Sequence, residues 1–168
     1  MSKTSYAIAL GSNRRHGRHG APARVVAAAI VALGELGRIE QVSAIRATPA
    51  LGPAGRGFAN AAVLLRSELD PDDLLDGMKR IEREFGRRPG RRWGARVLDL
   101  DIILWSEGAW SGAGLTVPHP EYRNRRFVLE PLAEIAADWV DPITGATVRQ
   151  LRHRQARPAP VDPILPRS

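Results

Sequence analysis

The sequence predicts one globular domain that mixes β-strands and α-helices. Its 168 residues fit the size of a single domain. Two stretches space their apolar residues as helices do, and several short apolar runs close on turn residues as strands do. A chain of this length buries roughly 70% of its unfolded surface, enough for a core without disulfides or a structural metal.

The elements follow in order. Tyr6-Ala7-Ile8-Ala9-Leu10 is an apolar run closed by Gly11-Ser12-Asn13, a buried strand ending in a turn. After a basic loop, Arg14 to Gly20, Pro22 occupies a favoured first helical position. Val25, Val26, Ala29, Ile30, Leu33 and Leu36 then recur at helical spacing, and Gly37 marks the stop. Ile39 to Thr48 alternates loosely as a strand, Pro49 to Gly57 is a loop, and Phe58 to Leu65 is a further strand. Asp70-Pro71-Asp72-Asp73 supplies a capping side chain, a first-turn proline and acids at the positive end of a helix dipole. Leu74, Leu75, Met78, Ile81 and Phe85 form the apolar stripe of that helix before Gly86.

Gly86 to Arg92 holds two glycines, a proline and four arginines, which predicts a mobile basic loop. Val97 to Trp105 is the strongest strand, followed by a polar excursion from Ser106 to Gly114 and by Leu115-Thr116-Val117-Pro118-His119-Pro120. Phe127 to Ala137 suggests a short helix interrupted or begun near Pro131. Residues 1–156 are expected to form the domain. Residues 157–168, with Pro158, Pro160, Pro163 and Pro166, are expected to form a disordered or draped tail.

Composition narrows the function. There are no cysteines, which removes disulfide frameworks, thiolate metal sites and thiol nucleophiles. No run approaches 18 apolar residues and the N-terminus lacks a signal-peptide pattern, so a cytoplasmic protein without a membrane partner is expected. The net charge is +7, and because only Lys3 and Lys79 are lysines, 23 of the 25 basic residues are arginines. Arginine's planar fork suits phosphate and carboxylate, although a compositional preference for arginine gives the same totals.

Asp99 and Asp101 flank Leu100 within a strand, so both carboxylates project from one face, separated by about 6.6 Å along the chain. Burying two unpaired acids would be costly, so a cation is expected opposite them. Magnesium, held by one or two carboxylates and substrate phosphates, is the natural candidate. A strand with a solvated face, or acids paired to nearby arginines, explains the same pattern. Arg92-Trp93-Gly94-Ala95-Arg96 directly precedes the pair, so basic, aromatic and acidic groups converge as a magnesium–polyphosphate complex requires. Neither Gly-x-x-x-x-Gly-Lys-Ser/Thr nor Gly-x-Gly-x-x-Gly occurs, which disfavours a P-loop or Rossmann site. His119, between two prolines, suits nucleotide contact better than general-base work, and His16 and His19 are read as solvated surface.

Several ordered motifs together resemble the 6-hydroxymethyl-7,8-dihydropterin pyrophosphokinase family. They are Leu10-Gly11-Ser12-Asn13, Thr48-Pro49 with Leu51-Gly52, Asn60-Ala61-Ala62, Arg92 through Ile102, and Leu115 through Pro120 with Asn124-Arg125 and Phe127. The likeness spans residues from about 5 to 150, and several motifs in order are far more specific than one. It implies a ferredoxin-like α+β fold, an antiparallel sheet flanked by helices. The implied reaction moves the β,γ-diphosphate of ATP onto the pterin hydroxymethyl group and releases AMP, in folate biosynthesis. By this resemblance Asp99 and Asp101 hold two magnesium ions, and Arg87, Arg92 and Arg96 act with them on the triphosphate. Glu82, Arg88, Trp93, Ile102, Thr116, His119 and Arg125 match ATP-contacting positions. Thr48, Pro49, Leu51, Phe58, Asn60, Trp93 and Phe127 match the pterin pocket, with Asn60 reading the ring edge and Phe127 stacking on its face.

Ala95, Ala50, Phe58, Pro120 and Gly114 depart from residues common in the family, and none belongs to the acid pair. Two other readings fit less: an arginine-rich nucleic-acid binder, which the acid pair would repel, and a pterin- or nucleotide-binding relative without turnover. The expected partners are the two small substrates, with no nucleic acid, and the chain is expected to be a monomer.

Overall fold

A computed structural model describes residues 2–13, 19–48, 57–86 and 97–157. Its elements are β1 (Thr4–Ser12), α1 (Pro22–Leu33), β2 (Arg38–Val42), β3 (Arg46–Thr48), β4 (Phe58–Ser67), α2 (Pro71–Gly86), β5 (Asp99–Trp105), β6 (Trp110–Gly112), β7 (Leu115–Val117), a 3₁₀ turn (Tyr122–Asn124), α3 (Arg126–Ala136) and α4 (Val148–Ala156). The main sheet is antiparallel in the order β2-β4-β1-β5, and β3 extends it by pairing with the start of β4. β6 and β7 form a separate hairpin.

β1 reads as an unbroken apolar run because both its faces are covered. Tyr6, Ile8 and Leu10 pack into one core beneath α1 and α2, and Ala7 and Ala9 into a second beneath α3 and α4. The mixed helix-and-strand domain with an antiparallel sheet is therefore as the sequence predicts. Asp70 caps α2, its Oδ1 accepting from the Asp73 N–H at 2.9 Å. Leu74, Met78, Ile81 and Phe85 face the first core, with Leu75 partly buried beside them.

Several boundaries differ from the sequence prediction. β1 runs through Gly11 and Ser12, which were expected to turn, because Gly11 is paired on both sides. α1 ends at Leu33 rather than near Gly37, and Gly34, Glu35 and Leu36 make tighter bonds to Val31, Ala32 and Leu33. Gly37 serves close approach instead, since a Cβ there would lie 2.4 Å from the Arg66 carbonyl oxygen. The expected strand from Ile39 to Thr48 is two strands, broken where Ser43 Oγ accepts from the Ala62 N–H at 2.8 Å. β5 begins at Asp99, although Val97 and Leu98 are buried before it. The polar excursion contains β6, anchored where Trp110 Nε1 donates to Asp72 at 3.1 Å.

α3 passes through Pro131 without interruption. The helical bond that proline removes is to the carbonyl of Phe127, an exposed residue in the first turn, where solvent can replace the lost donor. α4 was not expected. Thr147 and Gln150 form a capping box at its start, at 3.1 and 2.9 Å. The basic loop 87–92, most of Arg14 to Gly20, most of the 49–57 loop and the tail from 158 lie outside the described residues. His19 is not bare surface, for its ring stacks on Phe85 with centroids 5.2 Å apart.

Candidate active site

The site begins with strand register. Gly11 on β1 pairs with Asn60 on β4 and with Asp99 on β5, and Ala9 pairs with Ala62 and Asp101. Cross-strand partners share a face, so Asn60 and Asp99 flank Gly11 while Asp101 stands beside Ala9. The β1 side chains here are a hydrogen and a methyl, which leaves a floor low enough for a cleft. Gly11 is needed more specifically, since a Cβ would lie 3.1 Å from Asn60 Oδ1.

A shift in the pairing of β1 with β5 keeps the two acids on this face while sealing the strand beyond them. Ala7 faces Leu104 but Ile8 faces Ile102, so Ile103 is an extra residue. Before it, Leu100 and Ile102 point into the first core; from it onward, Ile103 and Leu104 both join the second.

Over this floor lies a cleft of about 640 Å³. Thr48, Phe58 and Asn60 form one wall, Asp99 and Asp101 the other, and Arg125 and Phe127 overhang from the start of α3. Phe58 and Phe127 are 53% and 52% exposed, and two half-exposed aromatic rings on a concave surface suit a flat ligand. The Arg125 guanidinium lies 6.0 Å from the centre of the Phe127 ring. Thr48 Oγ1 accepts from the Phe58 N–H at 3.3 Å, joining the two strands at that wall.

A second cleft of about 370 Å³ lies around the edge of β5, between α2 and the β6–β7 hairpin. Glu82, Ile102, Thr116 and His119 line it together with Leu75, Lys79 and Leu115. Glu82 Oε2 accepts the Leu100 N–H at 2.9 Å, so this carboxylate also secures the strand that carries the acids. Asp101 lines both clefts.

His119 reaches Asp101 from the second cleft, with Nε2 3.9 Å from Oδ1. Its Nδ1 accepts from the Glu121 N–H at 3.1 Å, so in the neutral ring the proton sits on Nε2, facing the acid. Burial pushes the His119 pKa down, against the opposing pull of Asp101. A neutral ring with Nδ1 already occupied is a hydrogen-bond donor to the site rather than a base.

Asp99 is exposed, and the Asp101 side chain is 43% exposed. The burial cost that led the sequence reading to a cation is therefore small. The geometry that remains is two hard-oxygen donors on one face, which fits magnesium completed by phosphate and water. Among the described residues no group of three or more His, Asp or Glu is placed to hold a metal by itself.

Of the residues singled out from sequence, the larger cleft collects Thr48, Phe58, Asn60, Asp99, Asp101, Arg125 and Phe127. Arg125 was grouped with the nucleotide contacts; it lies here, beside Phe127. The smaller cleft collects Glu82, Ile102, Thr116 and His119. Pro49, Leu51, Arg87, Arg88, Arg92, Trp93 and Arg96 lie outside the described residues. Sequence reasoning gave no site role to Ala9, Gly11 or Asn13 of the larger cleft, or to Lys79 and Leu115 of the smaller. The signal for Gly11 and Asn13 is in the sequence as the turn-type residues that close the apolar run, and Ala9 is a small residue within it.

A family model described as 7,8-dihydro-6-hydroxymethylpterin-pyrophosphokinase (HPPK) matches residues 7–137. A 2-amino-4-hydroxy-6-hydroxymethyldihydropteridine pyrophosphokinase of Haemophilus influenzae is 42% identical over 142 residues, 83% of this chain and 85% of that protein. The like-named protein of Synechocystis is 45% identical over 113 residues, 67% of this chain, and the match spans only 58% of that relative. Among solved structures, wild-type HPPK-DHPS of Plasmodium falciparum superposes with a TM-score of 0.69 at 13% identity. That match covers 91% of this chain and 45% of the other, a likeness of fold.

Proposed function

This chain belongs to the 7,8-dihydro-6-hydroxymethylpterin-pyrophosphokinase family, and we propose that it transfers the β,γ-diphosphate of ATP to 6-hydroxymethyl-7,8-dihydropterin in folate biosynthesis. The pterin hydroxymethyl oxygen attacks the β-phosphorus, the bond from that phosphorus to the α,β-bridging oxygen breaks, and AMP leaves with the electron pair. The hydroxyl proton passes to solvent. One observation carries the reading: two clefts of different character meet at a single carboxylate, Asp101. A transfer between two bound substrates needs its reacting atoms brought together at such a junction.

The larger cleft takes the pterin. Asn60 offers an amide donor and acceptor to the ring edge, and Phe127 and Phe58 offer faces to stack on. The smaller cleft takes ATP, with Thr116 and His119 as polar contacts and Ile102 on the strand edge. Arg125, beside Phe127 in the larger cleft, is read as a contact on the pterin side of the transfer in addition to the nucleotide contact that the resemblance assigns it. Asp99 and Asp101 would hold two magnesium ions, which when bound neutralise the triphosphate and polarise its phosphorus. The His119 Nε2–H faces the Asp101 carboxylate across 3.9 Å, a separation that leaves room for a bridging group rather than a direct hydrogen bond. Arg87, Arg88, Arg92 and Arg96 supply charge to the phosphoryl oxygens and Trp93 a ring between the substrates, as the resemblance assigns them.

The strand order β2-β4-β1-β5, with α1 and α2 on one face, supports the ferredoxin-like reading of the fold. Residues 1–156 are taken as the pyrophosphokinase domain and 157–168 as a tail outside it. No described helix is long and apolar enough to cross a membrane, and we place the protein in the cytoplasm as a monomer that acts on small molecules rather than nucleic acid. The test is AMP formation from ATP, magnesium and 6-hydroxymethyl-7,8-dihydropterin. AMP only when all three are present supports the reading, whereas ADP, or folded protein that binds pterin without releasing AMP, refutes it.

A further inference from the structure

We propose that Asp141 is a positioning residue for this reaction, acting on both clefts through the turn that carries His119 and Arg125. It rests on the reading of those two residues as substrate contacts. Asp141 lies outside both clefts and is fully buried. Its Oδ2 accepts from the Tyr122 hydroxyl and from Arg123 Nε, each at 2.6 Å. Its Oδ1 accepts from the N–H groups of Ile143 and Thr144, at 2.8 and 3.2 Å. The carboxylate is itself held, because the Asp141 N–H donates to Ala146 and the Asp141 carbonyl accepts from Gly145, both at 2.8 Å.

The two residues that Oδ2 grips lie between the residues that reach the clefts. His119 precedes Tyr122 by one turn, its carbonyl accepting the Tyr122 N–H at 3.5 Å, and Arg125 follows, donating to the Tyr122 carbonyl at 3.1 Å. Arg123 also lies over the Tyr122 ring, 5.1 Å from its centre. Tyr122 is fully buried and its hydroxyl is a donor only to Asp141, so the phenol is directed rather than merely packed. Burial alone would raise the Asp141 pKa, but the bonds from Arg123, Tyr122 and the two backbone N–H groups bring it below the ordinary value, so the grip is ionic at neutral pH. One buried charge therefore fixes a short turn whose ends enter different clefts, and a shift of the turn moves His119 and Arg125 together.

Asp141→Asn keeps an oxygen for Ile143 and Thr144 but gives up the charged grip on Tyr122 and Arg123. The expected result is a rise of about tenfold in the KM of both ATP and pterin, as a misplacement of an ångström or less produces. Leu151→Ala, a core truncation in the same corner, controls for lost stability and should leave both KM values unchanged at a temperature where it is folded. Tyr122→Phe, which removes only the hydroxyl, stands in if Asp141→Asn does not fold, with a rise of about threefold expected for both substrates. Combining either variant with Arg125→Ala should add nothing to the pterin KM of Arg125→Ala alone. Multiplicative effects, or a Leu151→Ala that raises both KM values equally, overturn the proposal while leaving the role of Arg125 intact. An unchanged pterin KM in Arg125→Ala itself instead overturns the reading of Arg125, and the proposal with it.

Discussion

Gly11→Ala should separate stability from function at the floor of the pterin cleft. The new Cβ would lie 3.1 Å from Asn60 Oδ1 and 4.0 Å from the Ala59 carbonyl oxygen. Ordinary contact begins near 3.4 Å, so the amide must retreat by about 0.3 Å, the difference between the two distances. The backbone gains from the change, because alanine in a strand recovers roughly 0.5–1 kcal/mol that glycine loses to unfolded-state freedom. A side-chain amide that swings aside costs less than that, so stability should hold or rise by up to about 1 kcal/mol, a Tm gain of roughly 0–4 °C in a chain of this size. Binding should move the other way. A displaced Asn60 loses about one neutral hydrogen bond to the ring edge, worth about 1 kcal/mol, which is roughly fivefold in pterin KM with the ATP KM unchanged. Initial rates of AMP release with each substrate varied in turn, beside a thermal melt, test both signs. A Tm more than about 4 °C below wild type, or an unmoved pterin KM, would refute the idea that Gly11 is there to make room for Asn60.

Four further outcomes are expected. Asp99→Asn or Asp101→Asn should cut AMP formation by about a thousandfold or more through lost phosphate and metal charge, with little change in the melt because both carboxylates reach solvent; a folded, active variant would reject their role. Phe127→Ala should raise the pterin KM about fivefold, the worth of one aromatic stack, and leave the ATP KM alone, as fluorescence titration of each ligand can check. Thr147→Ala breaks the capping box of α4 and should cost about 1 kcal/mol, or roughly 2–4 °C in Tm. The depressed pKa of Asp141 contributes stability that is complete above the unfolded carboxyl pKa of about 3.9 and is lost as pH falls through the lower folded value. Acid titration of the melt should therefore show a steeper fall below about pH 4 for wild type than for Asp141→Asn, and parallel curves would rule that contribution out.

Much of the fold was legible because local chemistry and tertiary context agree. α2 carries its cap, its first-turn proline, its acids and its apolar stripe in one segment, and each does in the structure what its type predicts. β1 was legible for the opposite reason, since a strand covered on both faces reads as an unbroken apolar run, although its pairing continues beyond that run through Gly11 and Ser12. Errors concentrated where a residue's role is set by something distant in sequence. Gly37 looks like a helix stop from its neighbours, yet what requires it is the Arg66 carbonyl of β4. Pro131 looks like a break, yet the bond it removes falls at an exposed first turn. Thr147-x-x-Gln150 is a capping-box signal for α4 within the sequence, but the short basic helix behind it carries few apolar residues to mark its face.

The site was legible as a set of residue types and not as a place. Asp-x-Asp on a strand specifies a shared face, but whether that face is buried, solvated or part of a cleft depends on what stands on the next strand. Here the neighbours are Ala9 and Gly11, with Asn60 one strand further, a relation among positions about 50 and 90 residues apart that only register creates. The same dependence explains Arg125. Sequence order groups it with Thr116 and His119, but the 3₁₀ turn Tyr122–Asn124 stands between them, and His119 and Arg125 line different clefts. That turn is held from the far side by Asp141, which no motif contains. Motifs record the groups that meet substrate, whereas the distance between those groups is set by residues that meet only one another.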